Sequence, residues 1–456
     1  MTQLRNVLLG ALLFGVSGTV PAATVQDSLQ PVVNSAGKSL EFDWPMIRIG
    51  TGEYEEGPTG VTVFHFRRKV LGAVDVRGGG PGTVNTDYLR LGYETPELDA
   101  VVFAGGSWYG LEATTAVATA LKDDGSRDGG WMSLALSVGA IIYDLGERRL
   151  NEIYPDKRLA QAAFRAARPG VFPLGPHGAG RLAKTGGYFG CNAHSGQGGA
   201  FRQIGELKIA AFTVVNALGV VTDRNGAIAA CFRDASWPRD VKAIDLVSGL
   251  PDSRKPGWRG PTLSSDARRN TTISLVVTNQ TLNPAELQRL AVQVHTSMAR
   301  GIQPFATEFD GDVLYAVSTG ELAKQESPAI TSADLGIIAS DVMWDAILAS
   351  VPEQPLAPRA NSRLKPSAEA LQRHVGRYVF SAPVTIEVSV KEGKLYAQAT
   401  GARDAYAIKR AAPVELLPVE PDVFTVPGRY PFTIRFESSA VVLNPGPWQQ
   451  IGARMP

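Results

Sequence analysis

Residues 270–301, NTTISLVVTNQTLNPAELQRLAVQVHTSMARG, set the tightest constraint on the fold. Ile273 to Val277 is a short, mostly apolar run, the pattern of a strand covered on both faces. A few residues later Asn283 stands where a helix N-cap belongs, Pro284 takes the first helical position, and Glu286 completes a capping box. Leu287, Leu290, Ala291, Val294 and Met298 then recur on one helical face until Gly301 ends the helix. A buried strand followed at once by the helix that covers it points to an α/β body rather than an all-β or all-helical one.

The neighbouring segments agree. EYEEGPTGVTVFHF to AVDVRGGGPGT predicts a hairpin, and LDAVVFAGGSWYGLEATTAVATALKDDG predicts a strand, a Gly-Gly-Ser turn and an alanine-rich helix. GAIIYDL predicts a buried strand, LKIAAFTVVNALGVVTDRNGAI two strands around a turn, DGDVLYAVST a strand and ITSADLGIIASDVMWDAILASV a helix. The texture then changes to PEQPLAPRANSRLKPSAEA, a Pro-rich linker. The expected organisation is a main domain over 24–352, a linker over 353–365, and a small antiparallel β domain over 366–456, a barrel or curled sheet. That β domain resembles small accessory domains that follow some β-lactamase-like serine hydrolases.

With 45 Lys and Arg against 44 Asp and Glu, the net charge of +1 gives no field that would draw nucleic acid or an anionic membrane. Residues 1–23 combine Arg5, an apolar run from Val7 to Val16 and a small-residue exit at Ala22 and Ala23, which predicts a cleaved signal peptide, periplasmic or secreted localisation, and no remaining membrane span. Cys191 and Cys231 could pair in an exported protein or remain two small apolar side chains. No zinc-ligand spacing and no phosphate loop occurs, so neither a metal nor a cofactor is expected.

Three roles compete for Asn270, Thr271 and Thr272: a polar strand entrance, an Asn-x-Thr glycosylation acceptor, or a self-cleavage site. In the third, the Thr271 hydroxyl attacks the Asn270 carbonyl and releases Thr271 as a new N-terminus. Its α-amine, with a pKa of about 7.7–8.0, then serves as the base beside the nucleophile. No histidine is required, and the five histidines suggest no triad.

YEEGPTGVTV, VDVRGGGPGT, AVVFAGGSWYGLEA, IIYDL, YPDKRLAQAA, NTTISLVVTN, VHTSMARGIQPFATEFDGDVLYAVSTG and GIIASDVMWDAIL together resemble the DmpA-type peptidases of family S58, and within them the endo-type nylon-oligomer (6-aminohexanoate-oligomer) hydrolases. The resemblance covers roughly 40–350. It implies an α/β/β/α sandwich, autocleavage between Asn270 and Thr271, and a closed homo-oligomer of αβ units. It also implies that Asp310 and Asp312 orient the nucleophile and that Asn216 donates to the oxyanion; Tyr143 could line the substrate site. The nylon-hydrolase relatives place a catalytic lysine after a Gly-Ala-Gly loop. Here Lys184 stands about three residues early, with Gly187 at the ungapped match.

The expected activity is hydrolysis of amide bonds in short peptides, β-peptides or ω-amino-acid oligomers by an N-terminal threonine. The alternatives are an uncleaved envelope binding protein and an acyltransferase using a similar nucleophile.

Overall fold

The computed structural model describes residues 25–126, 130–232, 241–248, 270–323, 330–428 and 430–455, and the expected signal peptide lies outside them. The main domain is built from β1 (Ile47–Tyr54), β2 (Thr59–Val76), β3 (Glu97–Ala104), α1 (Glu112–Asp123), β4 (Ser137–Ile141), α2 (Lys157–Arg165), β5 (Gln197–Ile204), β6 (Leu207–Asn216), β7 (Thr271–Gln280), α3 (Pro284–Ser297), β8 (Val313–Leu322) and α4 (Ser332–Ala349). Its main sheet runs β5-β6-β7-β8-β2-β3-β4. β2 spans 18 residues, and the two halves of this long strand have different partners. Its first half pairs with β1 through the hairpin turn at Tyr54 and Thr59, and its last residues pair with β8.

Three apolar clusters follow from strand periodicity. Ile273, Leu275 and Val277 of β7 face an aromatic core with Phe64, Phe103, Phe172, Phe212 and Tyr315. Val276, on the opposite side of the strand, packs under α3 and α4 against Leu287, Ala291, Val342 and Met343. Successive side chains of a strand point to opposite faces, so a strand covered on both must be apolar throughout. A third cluster joins Ala116, Val117 and Ala120 of α1 to Leu159, Ala160 and Ala163 of α2 over β3 and β4. The capping box on α3 is present: Asn283 Oδ1 accepts from Glu286 N–H at 2.9 Å, and Glu286 accepts in return at 3.1 Å.

The strand expected at GAIIYDL stops at Ile141, so Tyr143 lies beyond it rather than within it and is only partly buried. Cys191 and Cys231 are joined in a disulfide. The bridge closes a separation of 40 residues, worth about 4 kcal/mol in the chain-entropy account. Cys191→Ser is therefore expected to lower stability by roughly that amount, read as a reduced Tm in calorimetry and matched by adding reductant to the native chain.

Residues 376–454 form a closed barrel of eight strands, antiparallel throughout, sealed where Tyr378 meets Arg454. Leu150 of the main domain is buried in the barrel's own apolar core. Among the described residues no helix is long and apolar enough to cross a membrane, and no group of His, Cys, Asp and Glu is arranged to hold a metal ion.

Candidate active site

β7 begins at Thr271, and its antiparallel neighbour β6 ends at Asn216, directly opposite in register. β8 runs parallel on the other side of β7, which brings Asp310 beside Asn270 just before the strand begins. Three strand ends thus deliver Thr271, Asn216 and the Asp310-Gly311-Asp312 turn to one end of the sheet. Asn270, Thr271, Asn216, Asp310 and Asp312 are all buried. At 3% exposure Asn270 is out of reach of a glycosyl group in the folded chain.

The chain is continuous through this point, and the Asn270 carbonyl is held from two directions. Thr271 Oγ1 donates to it at 2.6 Å, and Gly311 N–H donates to it at 2.9 Å. A side chain at 311 would bring its Cβ to 2.7 Å from Thr271 Oγ1 and 2.7 Å from the Gly80 carbonyl, so only glycine fits this approach. Asp312 accepts from Thr272 N–H at 2.5 Å and from Ala306 N–H at 3.0 Å. Asp310 accepts from Thr307 Oγ1 at 2.7 Å and Leu218 N–H at 3.3 Å. Burial raises the pKa of Asp310, and burial together with the Asp310 charge holds Asp312 well above the usual carboxylate range. Two adjacent carboxyls out of water resist carrying two negative charges, so the pair retains a proton where an exposed pair would lose both.

Asn216 makes three hydrogen bonds. Its Nδ2 donates to the Tyr143 carbonyl at 3.1 Å, and its Oδ1 accepts from Lys184 N–H at 3.1 Å and from the Arg148 guanidinium. The backbone donor on the Asn270 carbonyl is Gly311 N–H. The contact that Tyr143 makes with Asn216 runs through its backbone carbonyl. Lys184 sits in a two-residue strand, Lys184–Thr185, paired with Ala193–His194. Its backbone N–H meets Asn216 despite its early position in the chain. Burial, then the neighbouring Arg148 charge, lowers its pKa to about 8.

Arg148 is the residue that the sequence did not flag. One guanidinium nitrogen donates to the Tyr143 carbonyl at 2.9 Å and to Asn216, and the other donates to Asn270 Oδ1 at 2.5 Å. Burial pulls its pKa down to about 10. It ends a single 3₁₀ turn, Gly146–Arg148, after β4, where no periodicity or spacing marks a functional side chain.

The sequence profile of peptidase family S58 matches residues 42–360. This chain belongs to peptidase family S58. It is 40% identical over 329 residues to the 6-aminohexanoate-oligomer endohydrolase of Paenarthrobacter ureafaciens, spanning 70% of this chain and 88% of that protein. An uncharacterized aminopeptidase of Mycobacterium leprae is 34% identical over 315 residues, spanning 64% of this chain and 82% of that protein. Among solved structures, the β-aminopeptidase of a Burkholderia species is similar at 17% identity and a TM-score of 0.48, covering 69% of this chain and 88% of that one. The S58 chain described here is a hydrolase acting on amide bonds. The S58 match ends at residue 360, before the barrel.

Proposed function

We propose that this S58 chain is an exported, self-processing N-terminal-nucleophile hydrolase that cuts itself between Asn270 and Thr271. The observation that carries this is the Thr271 hydroxyl lying 2.6 Å from the Asn270 carbonyl oxygen while Gly311 N–H already polarises that oxygen. Attack of Oγ1 on the carbonyl carbon, with its proton passing to the departing Thr271 nitrogen, breaks the bond to that nitrogen and leaves an ester. Water then hydrolyses the ester to an Asn270 carboxylate and a free Thr271 amine and hydroxyl. A donor fixed where the oxyanion develops lowers such a barrier by about 3 kcal/mol. In the processed enzyme the Thr271 amine takes the hydroxyl proton and Oγ1 attacks a substrate amide. The amine product leaves with that proton, and water resolves the acyl-enzyme. The apolar clusters on both faces of β7 support a four-layer α/β/β/α sandwich, and the assembly is an oligomer of αβ units. The substrates are amides of short peptides, β-peptides or ω-amino-acid oligomers, with 6-aminohexanoate oligomers the first to assay given the 40%-identical relative named for them.

Intact-mass and N-terminal analysis of the purified protein tests this directly. Two chains of about 26 and 20 kDa, by proportion from 48.6 kDa over 456 residues, are expected, the smaller starting at Thr271. One intact chain without amidase activity would favour the envelope binding protein instead. Transfer of the acyl group to added amines in preference to water would favour the acyltransferase.

Lys184 is the base that this scheme assigns to self-cleavage, before any α-amine exists. Its surroundings are Arg148 and Glu147 on the turn after β4 and His194 on the paired strand. Because its pKa is lowered to about 8, the neutral amine predominates above that pH. The rate of precursor cleavage should rise through about pH 8, and Lys184→Met should remove the rise, followed by gel densitometry after a pH jump.

A further inference from the structure

The cations of the site sit on two segments outside the main sheet: 143–150 with Arg148, and 181–194 with Lys184. Both segments are gripped by the barrel. Tyr406 donates to the Arg148 carbonyl at 2.6 Å, and Arg403 donates to the Gly146 carbonyl at 2.7 Å. Leu150 fills the barrel core, its N–H donating to Gln450 at 3.0 Å and its carbonyl accepting from Ser381 Oγ at 2.7 Å. On the second segment, Arg181 donates to the Pro447 carbonyl at 3.0 Å and Tyr430 donates to the Gly190 carbonyl at 3.1 Å. Trp448 stacks on His194 with ring centroids 3.8 Å apart, and His194 is the cross-strand partner of Lys184. Gln354, in the linker, accepts from the His194 N–H and donates to its carbonyl, each at 2.8 Å.

These attachments fall where the site needs restraint. Asp144 and Glu147 act on Arg148 and Lys184 through space, but among the described residues neither half-buried cation has a carboxylate in ion-pair contact, so their mutual repulsion is only partly offset. Mutual repulsion and hydration both favour the 143–150 segment swinging outward, and a surface connection whose regular structure is one 3₁₀ turn, Gly146–Arg148, moves readily unless tied down. Tyr406 and Arg403 hold the 148–149 and 146–147 peptide units, which flank Glu147 and Arg148. Rotation of those units would carry the guanidinium off Asn216 and Asn270.

We propose that the barrel is a working part of the amidase: Tyr406 and Arg403 are positioning residues that aim Arg148 at Asn216 and Asn270, and Trp448 braces the strand carrying Lys184. This role rests on Thr271 being the self-processing nucleophile. It gives the domain outside the S58 match a task in the chemistry, beyond added stability.

The test uses the full chain with Tyr406→Phe, which keeps the ring and removes the donor, and with Trp448→Leu. Lys394→Ala, which breaks an exposed barrel ion pair with Glu415, is the control. Precursor cleavage is followed against pH, kcat and KM are measured on the processed enzymes, and Tm is recorded for each. Both variants are expected to cleave at least about tenfold more slowly, since misplacement by a fraction of an ångström is costly in such sites. The loss should fall in kcat rather than KM, with Tm within a few degrees of the parent. The inflection near pH 8 should move upward as Lys184 gains water and loses Arg148. Should Tyr406→Phe fail to fold, Trp448→Leu carries the same readings. A wild-type chain that stays whole would remove the self-processing role of Thr271, and this proposal with it. A wild-type chain that is cleaved, beside variants cleaved at its rate with an unmoved inflection, would overturn the positioning role alone.

Discussion

Thr271→Ala is expected to leave one chain where the parent yields two, and to lower amide hydrolysis by at least about a thousandfold, the scale seen when a covalent nucleophile is deleted. Alanine removes the hydroxyl that lies against the Asn270 carbonyl and keeps the strand. β7 is buried along its length and its interior packing begins at Ile273, so little stability should be lost. Intact mass and an assay on 6-aminohexanoate oligomers read the two effects separately. Thr271→Ser, which retains a hydroxyl, should restore two chains. A Thr271→Ala chain that is still cleaved at the same bond would remove Thr271 from the chemistry.

Gly311→Ala should be nearly as severe for self-cleavage without touching a reactive group. The added Cβ would lie 2.7 Å from both Thr271 Oγ1 and the Gly80 carbonyl, closer than real contacts allow. Either the turn moves away, taking its N–H from the Asn270 carbonyl, or the nucleophile moves. Losing a donor from the developing oxyanion costs about 10²–10³ in rate, and a displaced nucleophile costs about as much again. Cleavage slowed at least about a hundredfold, with circular dichroism and Tm close to the parent, is the expected result. An unslowed variant would show that the Gly311 N–H does not serve the reaction.

Which elements could be read in the sequence follows from where the information is stored. The strand at β7 and the capped helix α3 were legible because each is encoded locally, by apolar periodicity and by Asn283 and Glu286 three residues apart. The β texture after residue 366 was legible for the same reason, although closure of its eight strands depends on Tyr378 meeting Arg454, some 76 positions away. GAIIYDL overran the strand by four residues, since an apolar run does not say where strand pairing stops.

The site was legible only in part. Asn270, Thr271, Asp310 and Asp312 stood out through short patterns that the resemblance could be matched to, residue by residue. Lys184 was visible yet displaced in the chain, and its backbone contact with Asn216, 32 positions away, appears only in the fold. Arg148 and the Gly311 N–H carried no signal, because a side chain on a single 3₁₀ turn and a backbone donor acquire meaning solely from what faces them. By itself, then, the sequence determined the α/β character, the strand that starts at Thr271, its covering helix and a separate β domain, all consequences of contacts between near neighbours in the chain. The tertiary structure alone decided which donor meets the Asn270 carbonyl, the joining of Cys191 to Cys231, and the grip of the barrel on the turns carrying Arg148 and Lys184. Those are contacts between residues about 40 to 260 positions apart, specified by packing and closure of the whole chain rather than by any local pattern.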